Sequence, residues 1–157
     1  MPPRPDLPPH PLPVDKDLVL KVIPMPADVN ANGDIFGGWV MAQVDLAGSV
    51  LPSRLGPRMV TVAVNEFIFK QPVRVGDILS FYSSVQRVGR TSVTVDVEVY
   101  AERFANQGRF VKVTEALLTY VAIDAQGAPQ ALPENAQTAA WRLTAQRNAS
   151  LKAQTPK

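Results

Sequence analysis

Strict alternation of apolar and polar residues governs the middle of this chain. In "SVTVDVEVY" (Ser92–Tyr100), Val93, Val95, Val97 and Val99 fall on one side and Thr94, Asp96 and Glu98 on the other, the period of a half-buried strand. "MVTVAVNEFIF" (Met59–Phe69), "ILSFYSSVQRV" (Ile78–Val88) and "RFVKVTEALLTYVAI" (Arg109–Ile123) predict three further strands, and "LVLKVI" (Leu18–Ile23) a short one near the start. "VGRTSV" (Val88–Val93) reads as a tight hairpin with Gly89-Arg90 at its centre, and a second hairpin is expected near Asn106–Gly108. One segment breaks the alternation. From Gly37 or Gly38 to about Leu51, Trp39, Val40, Met41, Val44, Leu46, Ala47, Val50 and Leu51 surround a helical cylinder, with Pro52 close to its end. A helix apolar on nearly every side is buried on most of them, which predicts a sheet wrapped around it.

The order is strand, buried helix, then four mostly antiparallel strands joined by hairpins. That is an α+β architecture, with no βαβ repeat and no glycine-rich phosphate loop between strand and helix. Residues 1–16 read as a proline-rich, poorly ordered lead-in, 17–134 as the folded domain, and 135–157 as a segment with a short surface helix and a basic end.

Composition narrows the chemistry. At 157 residues, 46% hydrophobic and 19% charged, the chain suits one globular domain. A net charge of +2 with scattered basic residues gives no nucleic-acid surface, despite a pI near 9.1. No run approaches the roughly 18 apolar residues of a membrane span. Cysteine is absent, which excludes disulfides, thiolate metal sites and cysteine nucleophiles. Together with an N-terminus that has no apolar signal-peptide core, this leads to an expectation of a cytoplasmic location. The lone histidine, His10, lies in the proline-rich lead-in and reads as a solvated tail residue. A Ser-His-Asp triad, a histidine dehydratase and a histidine metal cluster are thereby disfavoured, and no metal or cofactor is expected.

Candidate chemistry concentrates in "NANGDIFGGWVMAQVDLAGS" (Asn30–Ser49). Gly37 and Gly38 precede the helix, where unpaired N–H groups and a partial positive charge suit an oxyanion or a polarised carbonyl. Taken alone, a glycine pair is more commonly a flexible turn with tight helix-to-sheet packing. Asp45 sits inside the apolar run with no cation on its helix face, so it is either in use or satisfied by an amide or hydroxyl. Seven residues separate Gly38 from Asp45, about 10 Å along one helix. A reacting carbonyl needs its oxyanion donor and its base or nucleophile each about 3 Å away. If both groups act together, one must come from a second copy of the chain.

"NANGDIFGGWVMAQVDLAG", followed by "VTVAV" and "FKQPVRVGD", closely resembles the YciA-type bacterial acyl-CoA thioesterases of the hotdog-fold superfamily. The likeness runs from about Leu18 to Pro133. It implies a long helix inside a curved antiparallel sheet, and subunits joined edge to edge as a homodimer, with a hexamer as trimer of dimers. It also implies hydrolysis of acyl-CoA to a carboxylic acid and free CoA, in lipid metabolism. On this resemblance Asp45 is the catalytic acid, Asn30 acts with it across the dimer, and Gly38 is the backbone donor to the thioester oxygen. Phe36 and Gly37 flank the thioester. "NEFIFK" (Asn65–Lys70) departs from the family pattern, and with Phe67 it is expected to line the acyl or pantetheine channel. Gly89, Arg90, Thr91 and Ser92 form the hairpin beside CoA, with Arg90 toward a phosphate and Thr91 or Ser92 toward pantetheine amides. An ordinary turn with a solvated Arg90 is the plainer alternative for that hairpin. A non-catalytic acyl-CoA-binding domain of the same fold is the main functional alternative.

Overall fold

The structure, a computed structural model, describes residues 9–104 and 108–155. In chain order it has β1 (Asp17–Val22), a single 3-10 turn (Pro26–Asp28), α1 (Gly37–Ser53), β2 (Arg58–Phe69), β3 (Ile78–Val88), β4 (Ser92–Glu102), β5 (Phe110–Ile123) and α2 (Ala136–Gln154). The strands form one antiparallel sheet in the order β1-β3-β4-β5-β2. The fold is the expected α+β hotdog arrangement, with α1 lying on the sheet.

The alternation on β4 does what its period requires. Val93, Val95, Val97 and Val99 are fully buried against Val40, Val44, Ala47 and Leu51 of α1. Burying each such side chain stabilises the fold by about 1.5–3 kcal/mol relative to leaving it in water. The opposite face carries a polar ladder: Thr119 Oγ1 on β5 donates to Asn65 Oδ1 on β2 (2.7 Å) and pairs with Thr94 Oγ1 on β4 (2.9 Å).

Several expectations need correction. β2 and β3 are not a hairpin: β2 pairs with β5 at one edge, and β3 lies between β1 and β4. The chain crosses the end of the sheet through residues 70–77, pinned by Lys70 and Gln71 amides on Val113 O and by Ile35 N on Val73 O. Pairing order depends on long-range register, which local alternation does not carry. The helix also runs through Pro52 to Ser53. It is not buried all round, because Met41 and Leu46 are 42% and 59% exposed. One five-stranded sheet covers one side of a cylinder and leaves the other open.

The C-terminal helix is on the surface and has Lys152 in its last turn, as expected, but it is long, at 19 residues. Asn135 caps it by accepting from Thr138 N (2.9 Å). The lead-in is tied down from residue 10 onward. His10 N donates to Phe110 O (2.7 Å), its ring lies 5.5 Å from that of Tyr100, and the imidazole is exposed. The remainder of that lead-in, residues 1–8, and most of the predicted 106–108 turn lie outside the described residues.

Candidate active site

The loop before α1 is a small hairpin closed by a bridge between Val29 and Ile35. Asn30 organises it. Its side-chain oxygen accepts from Asn32 N (2.8 Å) and Asp34 N (3.2 Å), which makes an Asx turn and leaves the amide NH2 with no hydrogen bond among the described residues. Gly33 follows at φ +84°, and Phe36 N donates to Asp28 O (2.9 Å).

α1 starts without a side-chain cap and with no acid in its first turn. Trp39 N and Val40 N both go to Phe36 O, so Gly37 and Gly38 supply the turn's orphan donors. A Cβ on Gly38 would meet nothing within 4 Å, whereas one on Gly37 would touch the Phe69 ring at 3.2 Å. Phe69 stacks on Phe67 with centroids 4.8 Å apart. A cleft of about 310 Å³ opens beside this helix start, lined mainly by Ile35, Gly37, Val40, Phe69, Pro72 and Val73. Its walls combine these groups with the polar Asp34, Lys70 and Gln71, next to free backbone donors. Phe36, at the N-cap, is 54% exposed.

Asp45 lies two turns further along α1 and is half-buried. Among the described residues it has no ion pair. Thr61 Oγ1 on β2 donates to its Oδ1 (2.7 Å), and Tyr120 OH on β5 shares its one proton between the Asp45 backbone O (2.9 Å) and the same Oδ1 (3.1 Å). Thr61 and Tyr120 are direct cross-strand partners in the β2–β5 ladder. Burial, then the Asp45 charge, pushes the Tyr120 phenol well above its usual range, so it stays a donor. Neither Thr61 nor Tyr120 stands out in the sequence. Thr61 is one polar position in an alternating strand, and Tyr120 one aromatic in an apolar run.

The "VGRTSV" hairpin differs by one residue from expectation. Gly89 N donates to Ser92 O (2.8 Å), which puts Arg90 and Thr91 at the tip. A Cβ on Gly89 would come within 2.7 Å of Ser92 Oγ. The hairpin is braced by Leu132 N on Arg90 O (2.8 Å) and by Arg142 Nη2 on Gly89 O (3.3 Å). Arg90 is exposed.

The register sorts these residues into two groups. Val93 pairs with Tyr120 and Val88 with Val93, so the hairpin sits at the Asp45 end of the sheet. Phe69, against Gly37, pairs with Thr114, six residues and about 20 Å along β5 from Tyr120. Within one chain the candidate residues thus fall into two groups. The first holds Asn30, Phe36, Gly37, Gly38 and Phe67; the second holds Asp45 and Gly89–Ser92. No group of His, Asp and Glu among the described residues has the clustering to hold a metal ion.

Comparison with known proteins identifies the family. The thioesterase superfamily model matches residues 32–103. The acyl-CoA thioester hydrolase YciA of Escherichia coli K12 is 48% identical over 120 residues, covering 74% of this chain and 91% of that protein. The chain belongs to the YciA-type acyl-CoA thioester hydrolases. Among solved structures, HI0827, a hexameric broad-specificity acyl-coenzyme A thioesterase, is similar at 41% identity and a TM-score of 0.73, covering 81% of this chain and 88% of that one. A hexameric hotdog-fold thioesterase of Campylobacter jejuni shares 42% identity with a TM-score of 0.70, over 74% and 90% of the two chains. The family match spans α1 and the "VGRTSV" hairpin.

Proposed function

We propose that the chain hydrolyses acyl-CoA thioesters in sites completed by a second copy of itself. Hydrolysis of acyl-CoA is the activity of the family. The observation that supports the shared site is that Gly38 and Asp45 stand seven residues, about 10 Å, apart on one helix, too far to act together on one carbonyl.

The thioester carbonyl lies against Gly38 N–H at the uncapped, positive start of α1, where charge developing on its oxygen is stabilised. Asp45 of the other chain acts as an ionised base on water or attacks the carbonyl carbon itself. By either route water oxygen ends in the carboxylic acid, the carbon–sulfur bond breaks, and CoA leaves as the thiol. Asn30 orients the water or the carbonyl with its amide NH2. Phe36 and Gly37 flank the thioester, and Phe67 and the cleft border the acyl or pantetheine arm. Arg90 meets a CoA phosphate, with Thr91 and Ser92 toward the pantetheine amides.

The second copy docks on β2. This strand is a free edge of twelve residues that exposes Val60, Val62, Val64, Ile68 and Phe69, continuous with the open Met41 and Leu46 face of α1. A long apolar edge of that kind is normally paired or covered. The hexameric state of the similar solved proteins supports an assembly of six copies, which this reading arranges as three such pairs.

Co-expression of Asp45→Asn and Asn30→Ala chains tests this. Each single variant is expected to release almost no thiol from acyl-CoA. Mixed pairs carry one intact site of two, so statistical pairing restores about a quarter of wild-type activity. No restoration would place each site within a single chain. Wild-type protein that releases no thiol from acyl-CoAs of graded length would instead favour the acyl-CoA-binding alternative.

A further inference from the structure

Asp45 is held by one oxygen only. Both hydroxyl donors, Thr61 at 2.7 Å and Tyr120 at 3.1 Å, converge on Oδ1, and no hydrogen bond among the described residues reaches Oδ2. Tyr120 also ties down the backbone carbonyl of Asp45 at 2.9 Å, so the phenol grips both ends of the residue. The tyrosine is 1% exposed and cannot swing away without vacating the core.

Its approach depends on a gap in the helix. Gly48, one turn beyond Asp45, is fully buried, and a Cβ there would stand 2.5 Å from the Tyr120 oxygen. That is below any tolerable contact, and the obstructing atom would be the very hydroxyl that holds the acid. Thr61 gets its place from the sheet. It pairs directly with Tyr120, and the β2 register slips between Thr61 and Ala63, a bulge of the sort that re-aims a side chain.

We infer that Tyr120 and Thr61 are positioning residues that fix the Asp45 carboxylate through Oδ1 and present Oδ2 to the reacting centre, with Gly48 as the clearance that lets Tyr120 reach it. This rests on Asp45 being the reacting acid. A carboxylate left to rotate would spend most of its time out of line, and a misplacement of about 1 Å costs up to 100-fold in rate. The neutral donors move no proton in the reaction. They hold the acid in one rotamer while its free oxygen meets water or the carbonyl carbon.

The test is a set of variants assayed for thiol release. Tyr120→Phe and Thr61→Val are each expected to lower kcat about tenfold or more with KM within twofold, and Thr61→Ser to restore most of kcat. In an Asp45→Asn background, Tyr120→Phe should lower the residual rate no further, because there is no carboxylate to orient. Gly48→Ala should cost at least as much as Tyr120→Phe, and the two together little more than either alone. An equal fall in both Asp45 backgrounds would mean that Tyr120 acts only through folding and would overturn the inference, as would full activity in Tyr120→Phe. Thr61 lies on an exposed strand, so Thr61→Val and Thr61→Ser keep the inference testable should Tyr120→Phe misfold. Loss of activity in Asp45→Asn with full activity in both hydroxyl variants would overturn the inference while leaving the hydrolase reading intact.

Discussion

Gly38 shows how a single residue separates stability from function in this chain. A methyl group there meets nothing within 4 Å in the subunit, and alanine is a better helix former than glycine by about 0.8–1 kcal/mol. Gly38→Ala should therefore leave the melting temperature of the subunit unchanged or slightly higher. If the backbone at this position faces the thioester oxygen, the added methyl stands where substrate must approach. Activity should then fall by about 100-fold, the usual scale for disturbing an oxyanion donor. Calorimetry and thiol release on the same preparation check both halves. A large drop in melting temperature would mean that the glycine is there for packing. The candidate acid was legible for the opposite reason. An acid without a helical cation, inside an apolar run, has no bland explanation on its own element, and the explanation turned out to lie on two strands.

At the scale of elements, β2 carries the most consequence. Its twelve residues pair with β5 on one side only, and Val62 and Val64 are 54% and 48% exposed in the single chain. Val62→Lys combined with Val64→Lys should block pairing at this edge, as edge lysines do in natural sheets. Light scattering is expected to show a species near the 17.1 kDa subunit mass, and thiol release should disappear with the assembly. Retained assembly with full activity would move the docking surface elsewhere. α2 illustrates the converse. Its mixed apolar and polar pattern reads as a marginal surface helix, yet the Asn135 cap and its packing on β3 sustain 19 residues. The same helix supplies Arg142, which braces the "VGRTSV" hairpin, so the C-terminal segment bears on the candidate CoA site as well as on stability.

Across the whole molecule, a chain of ion pairs crosses the sheet face away from α1. Lys16 pairs with Asp96 and Glu98, Lys112 with Glu98 and Glu115, and Lys70 with Glu115. Burial alone would raise Glu98, but the Tyr100 hydroxyl and the lysine charges hold it below the usual 4.5; Glu115 is lowered first by its bond from Lys112. A carboxylate depressed on folding contributes stability above its unfolded pKa and loses it as pH falls through the folded value. Asp77 runs the other way, raised by burial despite Arg103, and offsets part of this below pH 4. The melting temperature should thus decline as pH drops below about 4.5, and Glu98→Gln should flatten that decline. At neutral pH the same substitution is expected to cost about 1–3 kcal/mol, between a surface pair and a fully buried one. A decline of unchanged steepness in Glu98→Gln would remove the network from the account of acid stability. Lys16 was assigned to the lead-in on sequence grounds, and only the fold reveals it as part of this network.

What the amino-acid sequence determined by itself was everything written in short-range order. Period-two valines specify β4, an apolar run flanked by glycine and proline specifies α1, and absent cysteine with a single histidine in the proline-rich lead-in disfavours whole classes of chemistry. The Asn30–Asp45 segment was enough to point to the family, because its special residues are close together in the chain. What only the tertiary structure decided was anything that depends on register between distant strands. It placed Thr61 opposite Tyr120, both on Asp45, and it set the hairpin tip at Arg90 and Thr91. A shift of one residue in pairing would turn each of those side chains to the other face, and no local pattern of hydrophobicity records which partner a strand will meet.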